Sequence, residues 1–194
     1  MKALTLRHPW AFAIAFLGKD VENREWDERL SELMGIHAQV GQRIAIHGGA
    51  APERPKRKHW RALAQDNTWR HLCEVVTGWQ DLELMGANFI TPAAAQHLTR
   101  VRQGGPLRPE HFICTGVIAV ATVQRLTRDS TSAWAVPGQL HIELADVQVL
   151  PNPVQCTGKQ GLWDLGEDLT AVVERRLTEY VPTTSDRTGE EWLR

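Results

Sequence analysis

The sequence predicts an α+β fold: a small, mostly antiparallel sheet curled toward a β-barrel, with flanking helices and a helical insertion. Three observations predict it. Strand-like segments open the chain, a helical block interrupts them, and long strand-like segments follow, so the elements segregate instead of alternating as βαβ units. No G-x-G-x-x-G or Walker-type phosphate loop occurs, which argues against a doubly wound nucleotide fold. Residues 139–150 alternate, with Leu140, Ile142 and Leu144 against His141, Glu143 and Ala145, the period of a half-buried strand.

Taken in order, residues 2–6 read as a strand with Ala3 and Thr5 on one face and Leu4 and Leu6 on the other. Pro9 suits the first turn of a helix, where a missing N–H costs nothing, and that helix runs through Trp10, Ala11, Ile14 and Leu17. Gly18 stops it, as a residue able to adopt the left-handed conformation of a helix end. Residues 21–26 form the next strand, 27–34 a short helix ending at Gly35, and 42–47 a strand closed by Gly48-Gly49. The insertion occupies about 50–110, with a loop at Pro52 and Pro55, a helix over 60–76, and a second helix from Thr91-Pro92 to Gly104-Gly105-Pro106. Strands at 112–123, 139–150 and 161–165 follow, then an amphipathic helix over 169–180. The expected organisation is one domain over 1–180 and a polar tail over 181–194.

With 42% hydrophobic and 23% charged residues, the chain has enough apolar material for a sizeable core. The apolar stretch 11–17 is too short to span a bilayer, and Gly18-Lys19-Asp20-Val21-Glu22 follows it instead of a small-residue cleavage site. Three cysteines without a C-x-x-C pair fit reduced thiols, so the expected location is cytoplasmic, with no membrane partner. The histidines show no H-x-x-x-H or H-E-x-x-H spacing, and neither a metal nor another cofactor is expected. A net charge of −1 excludes a wholesale basic surface for gripping long duplex nucleic acid, so any such contact must be local. Eight tryptophans against one tyrosine and four phenylalanines supply either core or base-stacking surface. Nothing in the chain demands an oligomer; a monomer suffices.

The densest polar cluster is Gly18-Lys19-Asp20-Val21-Glu22-Asn23-Arg24. On a strand Glu22, Arg24 and Trp26 share one face, while Val21 and Asn23 take the other, and Lys19 sits at the turn. A cation, a carboxylate, a guanidinium and an indole therefore converge. Glu22 could accept from a base N–H edge, Arg24 could hold a phosphate or orient Glu22, and Lys19 could donate to a carbonyl. The alternative is an ordinary surface ion pair of little energetic weight.

The start Ala3-Leu4-Thr5-Leu6-x-x-Pro9-Trp10-Ala11, followed by Gly18-Lys19-x-x-Glu22-Asn23-Arg24-x-Trp26, resembles the ASCH domain family of the PUA-like superfamily. Gly41-x-Arg43-Ile44-Ala45-Ile46-His47, Gly116-Val117-Ile118-Ala119 and Pro153-Val154-x-Cys156-x-Gly158-x-x-Gly161-Leu162-Trp163 match in the same order, so the resemblance spans residues 2–165. It implies a small β-barrel with a cleft beside the first helix, in a module that binds RNA, single-stranded nucleic acid or a modified nucleoside. The residues it carries over are Lys19, Glu22 and Arg24, with Trp10 as a cleft wall. Some members are hydrolases of acylated cytidine that use the motif lysine with a threonine three positions later. Here that position is Glu22, which departs from their pattern. Others have been described as ribonucleases.

A basic run, Arg54, Lys56, Arg57, Lys58 and Arg61, interleaves with His59 and Trp60, so Lys56, Arg57 and Lys58 could track a phosphate backbone while Trp60 stacks on a base. Its alternative is a solvated helix start. His47, ending a strand, could face the cleft as a proton-transfer group, and His8 could cap the helix after it. Cys156 and Trp163 read as packing. The expected function is thus a nucleic-acid or nucleobase binder. A hydrolase with Lys19 and Glu22 as catalytic residues is the first alternative, and a protein-interaction module using the insertion is the second.

Overall fold

A computed structural model describes residues 1–50 and 113–179. Six strands form one mixed sheet in the order β2-β5-β4-β3-β1-β6. In chain order these are β1 (Lys2–Leu6), β2 (Val21–Arg24), β3 (Arg43–Gly48), β4 (Gly116–Thr127), β5 (Leu140–Val154) and β6 (Leu162–Asp164), with helices α1 (Trp10–Phe16), α2 (Glu28–Leu33) and α3 (Glu167–Glu179). Every pairing is antiparallel except β1 with β3, which run parallel. The insertion expected at 50–110 and the tail at 181–194 lie outside the described residues, apart from the insertion's first residue.

Strand alternation divides the sheet into two packed faces. Leu4, Leu6, Ile44, Ile46, Ile142 and Leu144 form one core with Ala11, Ile14 and Ala15 of α1. Five consecutive residues of α1, Ala11 to Ala15, are buried, so this short helix is enclosed by the curl of the sheet and not laid on its surface. Ala3, Ala45, Val117, Val120, Leu150, Val154 and Trp163 form the second core, closed by Val173 of α3. α3 is amphipathic and is clamped by Arg43, whose Nη1 lies 3.1 Å from a carboxylate oxygen of Glu174.

The helix boundaries follow local chemistry. Asp27 caps α2, its carboxylate accepting from the Leu30 N–H at 2.7 Å. Gly18, at φ +68°, takes the left-handed conformation that turns the chain from α1 toward β2. His8 does not cap α1: Pro9 holds the cap position without a side-chain bond, and His8 Nε2 donates instead to the Gly49 carbonyl at 3.0 Å.

The expected barrel does not close. β2 and β6 are the two edges, and no backbone ladder joins them. The sheet is a half-barrel whose gap is crossed by a side chain: Arg24, on edge strand β2, donates from Nη2 to the carbonyl of Thr5 on β1 at 3.1 Å. With α1 filling the concave side and β6 only three residues long, the curl stops short of ladder pairing. No helix among the described residues is long and apolar enough to cross a membrane.

Candidate functional site

β2 positions the polar cluster. Glu22 pairs with Ile142 and Arg24 with Leu140, so both side chains project to the α1 side of the sheet, while Val21 and Asn23 lie on the other. Asn23 then serves the fold. Its amide donates to the Trp134 carbonyl at 2.8 Å and accepts from the Val136 N–H at 2.9 Å, docking the loop that precedes β5.

Lys19 arrives from the turn after α1 and is almost fully buried, 2% exposed. Its Nζ donates to the Val21 carbonyl, stands 3.6 Å from Glu22 Oε2, and lies 5.6 Å from the centroid of the Trp10 indole. Glu22 Oε1 faces Arg24 Nε at 3.3 Å, and the Glu22 side chain is 7% exposed. Arg24 is the outward member at 21% exposed, with its guanidinium 5.4 Å from the Trp26 ring. The cluster is thus a buried carboxylate between two cations, each cation backed by an indole, and it carries one net positive charge. Burial lowers the Lys19 pKa below its ordinary value, against the opposing attraction of Glu22.

Arg24 Nε is buried, yet its approach to Glu22 is not aligned as a hydrogen bond. The expected convergence of Lys19, Glu22, Arg24 and Trp26 is therefore present, with Trp10 beside Lys19, but Lys19 is turned inward onto backbone. Lys56, Arg57, Lys58 and Trp60 lie outside the described residues.

His47 does not join this cluster. It shares the face of Ala45, and its imidazole accepts from Thr5 Oγ1 at Nδ1 (3.3 Å) and donates from Nε2 to the Cys156 carbonyl (3.2 Å). Trp163 Nε1 donates to the same Thr5 hydroxyl at 2.9 Å, and its ring meets His47 edge-on at 5.7 Å. A consistent donor chain, Trp163 to Thr5 to His47 to Cys156, fixes the imidazole as the neutral Nε2–H tautomer. A Cβ at Gly158 would stand 2.3 Å from His47 Cε1, so a glycine is needed for the 155–161 loop to close over the ring. His47 is a structural histidine on the face opposite the cluster. Residues 44–47 are buried on both faces, which hides this parity from the sequence.

Burial pulls His8 and His47 below the ordinary imidazole value of 6.5. The unfolded chain therefore binds protons that the fold resists. The stability involved is intact above about pH 6.5 and is lost as pH falls through the lower folded values. Thermal unfolding should accordingly show a midpoint that drops between about pH 7.5 and about 5.5, with a shallower drop in His47→Gln. An equal drop in the variant would remove His47 as a source of the acid sensitivity.

A polar groove of about 310 Å³ opens on the face opposite Glu22, lined in part by Asp20, Arg125, Ser130, Ser132 and Glu143. Its charges are mutually paired. Arg125 contacts Glu143 at 2.6 and 3.0 Å, holding that carboxyl below its ordinary value, and Ser132 donates to Asp20. The Glu22 cluster differs in holding a buried guanidinium nitrogen, Arg24 Nε, without an aligned partner.

No family model matches the chain, and no curated protein matches it.

Proposed function

We propose that the chain is an ASCH-type module that binds a nucleobase, within single-stranded RNA or as a modified base, at the cluster of Lys19, Glu22 and Arg24. The observation that carries this reading is the geometry of that cluster. A carboxylate and a guanidinium whose buried Nε has no aligned partner stand together, with the Trp26 indole beside the guanidinium and the Trp10 indole beside the neighbouring ammonium. Acceptor and donor together suit the polar edge of a base, and indoles suit its face. The superfamily resemblance of the motif residues points the same way, and the local net positive charge favours a ligand that carries phosphate.

A thermal-shift panel on wild type and Arg24→Ala tests it, with nucleoside monophosphates and short RNA and DNA strands as ligands. A ligand at about a hundred times its dissociation constant should stabilise the wild type by ~2.7 kcal/mol. Loss of that shift in Arg24→Ala supports the site, and an unchanged shift moves binding elsewhere on the chain.

One observation favours a hydrolase as the second reading: a lysine whose burial depresses its pKa is a base or nucleophile in waiting. Against it, the Lys19 amine is turned inward, donating to the Val21 carbonyl, paired with Glu22 at 3.6 Å and flanked by the Trp10 indole. Turnover of acylated cytidine or of RNA that disappears in Lys19→Ala would establish it.

A further inference from the structure

We infer that the loop 128–139 is a proton-released strap: it is fastened to edge strand β2 while His141 is neutral, and protonation of His141 frees it. The starting observation is how the loop is tied. β2 is an edge strand that pairs with β5. On the face opposite Glu22 and Arg24, the loop gives it a second support. Ser132 donates to Asp20 just before β2, and Arg128 Nη2 donates to the Trp26 carbonyl just after it, at 2.8 Å. Between these ends Asn23 engages Trp134 and Val136 with the two halves of its amide.

His141 is the clasp. It lies between Asn23 of β2 and Thr127 of β4 in the sheet register and is 2% exposed. Its Nδ1 accepts from the Ser130 N–H at 3.2 Å, and its Nε2 donates to the Val136 carbonyl at 2.8 Å. A backbone N–H only donates and a carbonyl only accepts, so these partners admit one form of the ring, the neutral Nε2–H tautomer. A proton on Nδ1 would meet the Ser130 N–H donor to donor and break that bond. Val136 then passes the loss on, since its carbonyl takes His141 and its N–H takes Asn23.

The charges around the ring do not oppose release. On β5 Glu143 follows two residues on, and Arg125 of β4 engages it at 2.6 and 3.0 Å. On the β2 side Asn23 is neutral, while Asp20 and Glu25 flank the strand. These groups belong to the sheet and its flanks, so they draw a proton to the ring whether the strap is fastened or not. The loop itself carries Arg128 and Asp129, which cancel. What differs between the two states is the Ser130 bond, and it excludes the proton. Because β2 bears Glu22 and Arg24 on its other face, the fastened strap stiffens the strand that presents them, whatever they bind.

Amide hydrogen exchange of the full chain, followed by NMR as protection factors, tests the clasp. Protection factors divide out the intrinsic pH dependence of exchange. An imidazole in water titrates near about pH 6.5, so a strap that excludes the proton opens about tenfold more readily at about pH 5.5 than at about 7.5. The Ser130 and Val136 amides should lose protection by that factor. They should also be less protected than the β3–β4 ladder at both pH values, the mark of local opening. His141→Gln keeps a donor and an acceptor but does not titrate, so its strap protection should stay flat.

Unchanged protection in the wild type overturns the proposal. So does protection equal to that of the ladder, which means that the loop opens only with the whole fold, and so does the same tenfold loss in His141→Gln. Should that variant fail to fold, the ring-nitrogen NMR shifts of wild-type His141 decide. A doubly protonated ring beside a still-protected Ser130 amide overturns the clasp, and loss of that protection as Nδ1 gains its proton supports it.

Discussion

Glu22→Ala is expected to destabilise the fold by about 3–5 kcal/mol, the cost of removing one partner from a buried ion pair. In a chain of this size that corresponds to a fall in unfolding midpoint of roughly 6–20 °C. The reason is what remains. Lys19, 2% exposed, would sit beside Arg24 with no carboxylate between them, its buried ammonium uncompensated and repelled by the half-buried guanidinium. Neither can swing out cheaply, because Lys19 is pinned on the Val21 carbonyl and Arg24 on the Thr5 carbonyl.

The net worth of the intact cluster is a separate question, and the Lys19 pKa bears on it. Burial lowers that pKa despite Glu22, so the fold holds the proton less tightly than the unfolded chain does. By linkage, protonated Lys19 is a liability at neutral pH that is relieved as pH rises through its folded value toward 10.5. A Lys19→Met, Glu22→Leu double variant should therefore lose much less than the sum of the two single changes, with a coupling of about 0.5–3 kcal/mol. Denaturant unfolding of the four-member cycle measures it, and additive losses would show that the pair is not energetically coupled. A double variant that folds well and binds no nucleotide would show the cluster to be kept for ligand recognition and not for stability.

How much of this was legible in the sequence depended on whether the deciding physics was local. The bounds of β1 are legible residue for residue, and the ends of α1 and α2 follow from Gly18 and Gly35, because glycine turns act within one turn of the chain. The shared face of Glu22 and Arg24 also followed from strand alternation alone. The failures were non-local. Nothing in residues 2–6 or 42–47 announces that β1 and β3 pair in parallel, since that is set by the chain's route through α1 and β2. The register shift between Ile46 and His47, and the three within the β4–β5 ladder, depend on the partner strand. Strand alternation leaves Lys19 at the turn, free to donate to a ligand carbonyl. Its turn inward onto Val21 requires the roof of Trp10, which only the folded chain supplies.

Gly48→Ala is the second large effect, expected to cost at or above the ~3 kcal/mol upper end of ordinary overpacking. Gly48 ends β3 opposite Gly116 of β4, and a Cβ there would lie 1.6 Å from the Cys114 carbonyl oxygen and 2.7 Å from its carbon. The obstacle is backbone, so no rotamer change removes it. The chain at 114 must move by more than an ångström, and Thr115 next to it is tied to Gln155. Gly138→Ala is the contrasting case: φ is +82° but nothing stands within 4 Å, so its cost is the ~1–2 kcal/mol of left-handed backbone alone. Gly158→Ala falls between them, since its obstacle is the His47 ring, a side chain held by two hydrogen bonds. Urea unfolding of the three variants should rank them Gly48, Gly158, Gly138 from most to least destabilised. If Gly48→Ala were as mild as Gly138→Ala, the close approach of β3 to residue 114 would be wrong. The pairing of Gly48 with Gly116 would fall with it.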